Sequence, residues 1–156
     1  MADKYLLSEL KAKGSCVSFK AHKNLQRGVL LEIEGKADSV LGTGDFELYK
    51  VKDASETTKL GNLLVHNSVP KMYDERLTER DFELKQDEVG RGRHPQSHYK
   101  ILVHKSVVGE EVVAKDLLKL GSGGTFAKDA SGSDAIAVVE EALTWKGQES
   151  LIIRFL

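Results

Sequence analysis

Apolar and polar residues alternate with a period of two along several short stretches of this chain. In residues 16–21, the apolar side chains of Val17 and Phe19 alternate with polar ones, as in a strand with one buried face. Such stretches are too short for stable helices but suit strands, which average about 5 to 6 residues. The remaining strand candidates before the last third are residues 29–34, 46–51, 63–65 and 99–103.

The last third of the chain, residues 106–156, consists of short apolar runs separated by glycine-containing turns. The pattern predicts a small β-sheet, with a hairpin turn at residues 121–124 that leads into a further strand at 125–127. The four apolar runs of this region are residues 111–114, 117–120, 135–139 and 151–155.

These elements predict a mainly β fold, with a barrel or sandwich-like body, one or two short helical turns and an extended N-terminal arm. Residues 5–10 fit a short helix or an arm, which Gly14 would end. We expect residues 1–27 to form a basic arm or a first strand. Residues 28–156 would then form a single β-rich domain with a charged loop at 72–95.

The composition is that of a globular protein, because 40% of the 156 residues are hydrophobic and 30% are charged. No apolar stretch approaches the roughly 18 residues that a membrane-spanning helix needs, and the first ten residues lack the apolar core of a signal peptide. The single cysteine, Cys16, excludes an internal disulfide framework and fits a reducing compartment. We therefore expect synthesis in a cytoplasm, with Cys16 as a small buried side chain.

The net charge of −1 hides an uneven distribution along the chain. Residues 1–27 carry a net charge of +4, residues 28–90 carry −6 and residues 91–156 carry +1. A basic leading segment could reach an acidic surface on a neighbouring subunit, or a phosphate backbone. Lysines spaced singly among apolar residues are equally typical of the solvated face of an ordinary strand.

Three histidines close together in sequence do not predict a metal site. His98 and His104 would point to the same side of a strand but lie roughly 20 Å apart. His94 precedes them in a turn, and no cysteine or carboxylate follows at the spacing of metal ligands. We expect these histidines to lie at the surface and predict no metal ion.

Other motifs that suggest catalysis or nucleic-acid binding are incomplete. The chain has no Gly-x-Ser-x-Gly elbow, and the glycine-rich residues 121–124 lack the Gly-Lys-Ser or Gly-Lys-Thr of a phosphate-binding loop. Residues 91–93 read Arg-Gly-Arg, but a single copy without repeated aromatic residues is no platform for single strands. The sequence therefore predicts no catalytic residue, no cofactor, no specific nucleic-acid binding and no enzyme.

The pattern of strands and turns from Val108 to Phe155 resembles a known protein family. The stretches 109–120, 125–128, 134–142 and 150–155 are similar to the closing sheet of the capsid decoration, or cement, proteins of tailed bacteriophages. Residues 28–34 and 44–49 are similar in style to small phage structural proteins. Residues 108–116 also resemble the turn of biotinyl or lipoyl carrier domains, but the lysine setting of those carriers is missing.

The resemblance to decoration proteins implies a viral structural protein that binds the outer capsid surface and bridges coat subunits. Its partners would be the major capsid protein and further copies of this chain, most simply in a trimer, with no membrane. The protein would be located on the capsid exterior after synthesis in the host cytoplasm. Many modest contacts to an assembled lattice would then stabilise the shell by mass action and multivalency.

Basic and aromatic residues of two segments are the candidate contacts with coat or sister subunits. The first segment spans residues 11–27, and the second is the charged stretch at 73–93. The candidate interface residues are Lys11, Lys13, Lys20, Lys23, Arg27, Tyr73, Arg76, Arg80, Arg91 and Arg93.

Two other classes of function stay open at this point. A carbohydrate- or receptor-binding surface module would need exposed aromatic residues, and Trp145 at a predicted turn is its main support. A small β-barrel enzyme, such as a nucleotide hydrolase assembled at subunit interfaces, would combine residues of separate chains. Subunit mass and a turnover assay distinguish these classes.

Overall fold

The computed structural model describes residues 6–37, 48–68 and 83–156 of the chain. Its secondary structure is almost entirely β, with 3-10 turns at Leu60–Asn62 and Lys105–Val107. The strands of the described ranges are β1 (Leu6–Lys11), β2 (Cys16–Lys20), β3 (Leu25–Gln26), β4 (Leu30–Lys36), β5 (Leu48–Asp53), β6 (Leu63–His66), β7 (Glu83–Leu84), β8 (Val89–Arg93), β9 (Lys100–His104), β10 (Leu117–Leu120), β11 (Phe126–Lys128), β12 (Ala137–Trp145) and β13 (Gln148–Phe155).

Six strands form an antiparallel sheet in the order β1-β9-β13-β12-β10-β11. Every second residue of β9 and β13 faces a large apolar core, as the period of two requires. Tyr99 stacks on Phe155 in this core, with ring centroids 5.4 Å apart, and Phe126 packs against Phe155 at 5.9 Å. Burial of these aromatic side chains removes much apolar area from water and stabilises the sheet.

Five strands close into a small barrel in the order β2-β5-β4-β6-β8. β2 and β5 run parallel, and the other described pairs of the barrel are antiparallel. Closure removes sheet edges from this part of the molecule. The barrel core contains Phe19, Leu31, Val51 and Leu64, and the short pair β3–β7 adds Leu25 and Leu84.

Strand β6 joins the two parts because both of its faces are buried. Leu63 and Val65 belong to the core of the sheet, whereas Leu64 belongs to the core of the barrel. This explains why the segment reads as a continuous apolar run instead of an alternating one. The turn at 121–124 adds a second link, because Leu30 N–H donates to the carbonyl of Gly124 at 2.9 Å.

The structure confirms the mainly β prediction and most of the predicted strands. The sheet of the last third exists, although it also includes β1 and β9 from other parts of the chain. Residues 48–51 of the predicted strand 46–51 begin β5, and residues 46–47 lie outside the described residues. The predicted turn at 121–124 is confirmed, with φ values of 69° and 78° at Gly123 and Gly124.

Of the alternatives for the start of the chain, the structure shows a strand and not a helix, because the backbone of the described residues 6–11 pairs with β9. Two other local predictions are wrong. Residues 111–114 form no strand, since this stretch connects the 3-10 turn at Lys105–Val107 to β10. Residues 89–93, expected to belong to the charged loop at 72–95, form barrel strand β8.

The error at β8 has a steric cause. A Cβ atom at Gly90 would lie 2.4 Å from Leu84 Cδ2 and 2.8 Å from Ser68 Oγ. At Gly92 it would lie 3.1 Å from Leu64 Cβ. Both glycines therefore permit the close packing of a narrow barrel, where the sequence alone suggests a turn.

Candidate docking surfaces

Two of the predicted interface residues lie on the outer face of the β2–β8 pair. Ser18 is paired with Arg91, and Lys20 is paired with Val89. The alternate pairs face the barrel core, so Lys20 and Arg91 point outward, and both are exposed. Their cationic groups are thus presented on the wall of the barrel. We call this the basic barrel face, defined by Lys20, Arg91 and the neighbouring Lys50 of β5.

The basic barrel face is partly neutralised by surface carboxylates. Lys20 Nζ lies 3.9 Å from an oxygen of Asp87, and Lys50 Nζ lies 3.7 Å from Glu34. Exposed pairs of this kind contribute at most about 1 kcal/mol and are screened by salt. Lys20 and Lys50 can therefore leave these carboxylates and pair with carboxylates of another protein.

Lys23 is exposed, but it belongs to a group of closely spaced side chains around Asp53 at the end of β5. Its Nζ atom lies 2.6 Å from Asp53 Oδ2, and the ring of His22 lies 3.1 Å from Asp53 Oδ1. Asp53 therefore holds two side chains of the turn that follows β2. This arrangement fixes the turn and leaves Lys23 less able to exchange its partner.

Lys11 and Lys13 lie at the opposite end of β2 from Lys20. Lys11 ends β1, and Lys13 lies in the connection from β1 to β2. Both side chains are exposed, and within the described residues neither forms a salt bridge. Their charges are thus available at the edge of the six-stranded sheet.

Arg27 and Arg93 were predicted as contacts, but they do not lie on an exposed arm or loop. Arg27 retains only 6% of its accessible surface, so this chain covers it almost completely. Arg93 is half-buried and is bonded within the chain. The other predicted contacts, Tyr73, Arg76 and Arg80, lie outside the described residues.

Arg93 belongs to a network that links the sheet to the barrel through Glu9. Arg93 Nε donates to Glu9 at 2.7 Å and its Nη1 donates to the carbonyl of Gly14 at 2.6 Å. The Tyr99 hydroxyl donates to Glu9 at 2.6 Å, and Asn67 Nδ2 donates at 3.2 Å. One carboxylate of β1 therefore binds residues from three other parts of the fold.

The electrostatics of this network favour the ionised form of Glu9. Burial opposes ionisation, but the hydrogen bonds from Tyr99 and Arg93 outweigh it and hold the pKa of Glu9 below its ordinary value. Burial, together with the bond to Glu9, raises the pKa of Tyr99. The sequence offered only a weak signal for this role, namely a lone carboxylate in the run Leu-Leu-Ser-Glu-Leu.

An acidic groove lies beside the β12–β13 hairpin. It has a volume of about 700 Å³ and is bounded by the connection after β9 and by the β12–β13 hairpin. Glu110, Glu111 and Glu149 line it, and Lys105 forms ion pairs with Glu111 and Glu149. Apolar atoms contributed by Val108, Val112, Ala142 and Leu143 complete its walls. The groove thus combines an apolar floor with excess negative charge.

The three clustered histidines have separate environments. His94 Nδ1 lies 3.2 Å from the carbonyl of Leu63, and His104 Nδ1 accepts from the N–H of Ser106 at 3.1 Å. His98 is exposed in a turn with a φ of 73°. In the part of the chain that the structure describes, no group of three His, Cys, Asp or Glu residues is arranged to hold a metal ion.

A buried histidine that the sequence analysis did not single out lies in the barrel. His66 Nδ1 donates to the carbonyl of Gln26 at 2.7 Å, because a carbonyl can only accept. His66 Nε2 then accepts from the hydroxyl of Ser68 at 2.8 Å. Burial lowers the pKa of His66 to about 4, so the ring is neutral at pH 7. Both side chains are almost fully buried, so this pair serves packing and not a substrate site.

In residues 6–37, 48–68 and 83–156, no helix has the length and apolar character needed to span a membrane.

The chain was compared with known proteins by sequence and by structure. No protein-family model matches the chain, and no curated protein sequence matches it. Among solved structures, the chain is similar to the head fiber gp8.5 N base of bacteriophage phi29, with a TM-score of 0.49 and 14% sequence identity. The alignment covers 91% of this chain and 97% of that one. A similarity of this size does not establish a function.

Proposed function

We propose that this protein is a structural component of a bacteriophage virion. In this role it binds the outer surface of the capsid, contacts the major capsid protein and stabilises the shell by bridging coat subunits. It acts by binding and not by catalysis. Synthesis in the host cytoplasm would precede attachment to the head.

The observation that carries the proposal is the folding of residues 108–155. Their sequence resembles the closing sheet of phage decoration proteins, and in the structure β10 to β13 are neighbouring strands of a single antiparallel sheet. The stretch that carries the resemblance therefore folds as one continuous part of the sheet. The basic barrel face supplies a surface that can dock onto carboxylates of a coat lattice.

The perturbed ionisable groups support a binding role over a catalytic one. Glu9, Tyr99 and His66 are held by internal hydrogen bonds that connect parts of the fold. None of these three lines the acidic groove, where the shifted pKa values of Lys105 and Glu149 arise from their pairing with each other. A catalytic acid or base needs access to substrate, and the three side chains are engaged in packing instead.

Charge reversal on the basic barrel face tests the proposal directly. We expect the double variant Lys20→Glu with Arg91→Glu to bind heads that lack this protein about tenfold more weakly, because steering and contact pairs change sign. Co-sedimentation of purified protein with such heads measures the affinity. The matched control reverses two charges elsewhere, at Lys59 and Lys119, and should bind as the unaltered protein does.

The outcomes of this experiment distinguish an error in the proposed function from an error in the proposed contact face. If the unaltered protein does not bind heads, and imaging of the native particle shows no copy on the shell, the proposed function is wrong. If binding is normal in the Lys20→Glu, Arg91→Glu variant, the shell contact lies on another face. A truncation of residues 1–13 is a poor test, because it removes β1 and the Glu9 carboxylate that links sheet and barrel.

A further inference from the structure

Besides the terminal strand β11, two strands of the six-stranded sheet have an edge without a described partner strand, and these two edges face opposite sides of the sheet. β1 ends the sheet, and only β9 pairs with it among the described strands. On the other side, β10 pairs with Ala137 and Val138 of β12, and the loop before β10 adds two backbone bonds at Val139. Beyond Val139, no described residue pairs with the free edge of β12. Open edges present unpaired N–H and C=O groups and are templates for a further strand.

The two edges carry opposite charge. Beside β1 lie Lys11 and Lys13, both exposed. Beside the free part of β12 lies Glu141, exposed and without a salt bridge to any described residue. The adjoining groove adds Glu110, Glu111 and Glu149 against the single cation Lys105 within its lining. Each edge is thus electrostatically complementary to the other and not to itself.

The register of the sheet places the two charges on the same face. The row Lys11, Lys100, Arg154 runs across β1, β9 and β13, and the row Ser8, Leu102, Ile152 leads to Glu141 on β12. Between them lies the row of Ile101, Ile153 and Val139, which faces the core. Lys11 and Glu141 therefore both project from the face that points away from the core.

We propose that a second copy of this chain pairs its β1 with the free edge of β12. The strands run antiparallel, with Lys11 of one copy beside Glu141 of the other. Exposed Leu10, which retains 47% of its accessible surface, then lies next to Ala142 at the groove. Backbone hydrogen bonds continue the sheet from one copy to the next.

Charge selects this arrangement over the alternatives. Pairing of two β1 edges would gather Lys11 and Lys13 of both copies along one seam, and pairing of two β12 edges would gather Glu141 of both copies, so each like-with-like pairing concentrates charge of one sign. Only the pairing of unlike edges removes the repulsion. Such a contact is head-to-tail, so the copies close into a ring or continue as a chain.

The contact is expected to be weak between two isolated copies. A strand of six residues buries less than the roughly 1,200 to 2,000 Å² of a standard interface. Association should therefore depend strongly on concentration and weaken as salt rises. This assembly does not require capsid binding, so it can be tested on the purified protein alone.

Cysteine pairing between copies tests the geometry. In a Cys16→Ser background, chains carrying Lys11→Cys are mixed with chains carrying Glu141→Cys under mild oxidation, and the two chains are distinguished by mass. We expect the mixed dimer at least about tenfold above a control mixture in which Lys59→Cys replaces Lys11→Cys, because a disulfide requires Cβ atoms about 4 Å apart. A yield no higher than the control overturns the proposal.

Charge exchange supplies an independent test that needs no oxidation. Sedimentation at low salt should show association of the unaltered chain, and Lys11→Glu or Glu141→Lys alone should reduce it several-fold. The variant with both changes should recover the association, because opposite charges again meet. A monomeric unaltered chain at high concentration, or a double variant no better than the singles, contradicts the pairing. Capsid binding that fails while this association persists contradicts only the proposed function.

Discussion

The barrel and the six-stranded sheet obtain their stability in different ways. The barrel is closed and narrow, so it relies on glycines where strands touch and on fully bonded polar groups such as His66. The sheet is open and relies on a large apolar core around Tyr99 and Phe155. The closed part is therefore sensitive to steric and protonation changes, whereas the open part offers edges and a long hairpin to other proteins.

The largest predicted effect falls on the junction between the two parts. Gly14 has a φ of 111°, and a Cβ atom there would lie 1.8 Å from the carbonyl oxygen of His94. Gly14→Ala should lower the free energy of unfolding by about 4 kcal/mol, from backbone strain and overlap together. Denaturant unfolding measures this loss. Gly109→Ala is the control, since no atom lies within 4 Å of its added Cβ.

Acid should destabilise the barrel more than the sheet. The unfolded His66 has an ordinary pKa of 6.5 and the folded one a pKa of about 4, so the unfolded chain binds the proton first as pH falls. Stability is therefore complete above pH 6.5 and declines by about 3 kcal/mol down to pH 4.

His66→Gln should flatten that decline, and unfolding curves at several pH values measure it. His98→Gln, a change at an exposed turn, should leave the slope unaltered. Hydrogen exchange should show barrel amides losing protection before sheet amides. Equal loss in both parts would mean that the two parts unfold as one unit.

A smaller effect is expected at the carboxylate that joins the two parts. Glu9→Gln keeps the shape but leaves the guanidinium of Arg93 without its anionic partner, which should cost about 2 kcal/mol because the Arg93 and Glu9 side chains keep only 17% and 20% of their accessible surface. Because the pKa of Glu9 is lower in the folded chain than its ordinary value of 4.5, ionised Glu9 stabilises the fold above pH 4.5, and this stabilisation is lost as pH falls further. Glu9→Gln should remove this part of the acid-induced loss of stability. Glu141→Gln is the exposed control.

The smallest effect is expected on the exposed turn after β2. Lys23→Ala removes a pair with Asp53 but leaves His22 to hold that carboxylate. We expect a change below about 0.5 kcal/mol in denaturant unfolding, as for most exposed ion pairs. A loss above 1 kcal/mol would show that this turn contributes to barrel closure.

Local pattern predicted the strands but not their partners. Alternation identified β2, β4 and β5, and glycine turns bounded β10 to β13, because these signals depend on neighbouring residues. The pairing of β1 with β9 joins residues about 90 positions apart, and no local signal reveals such contacts. The prediction of a loop at β8 failed for the same reason, because its glycines are needed only for close packing against Leu84 and Leu64 across the barrel.

The candidate interface residues show the same limit of prediction from local sequence. Five of them are exposed, as lysine and arginine usually are: Lys11, Lys13, Lys20, Lys23 and Arg91. Arg27 and Arg93 belong to the interior of the fold, and their surroundings come from distant segments. Charge in the sequence thus does not by itself distinguish a cation at the surface from one that distant segments of the chain cover.

The position of β9 between β1 and β13 has a mechanical consequence. β1 and β13 both run antiparallel to β9 and hence parallel to each other. Tension applied to the start of β1 and the end of β13 would slide the strands along one another and load all the hydrogen bonds of β9 at the same time. The fold should resist stretching along this direction far better than peeling of the β12–β13 hairpin.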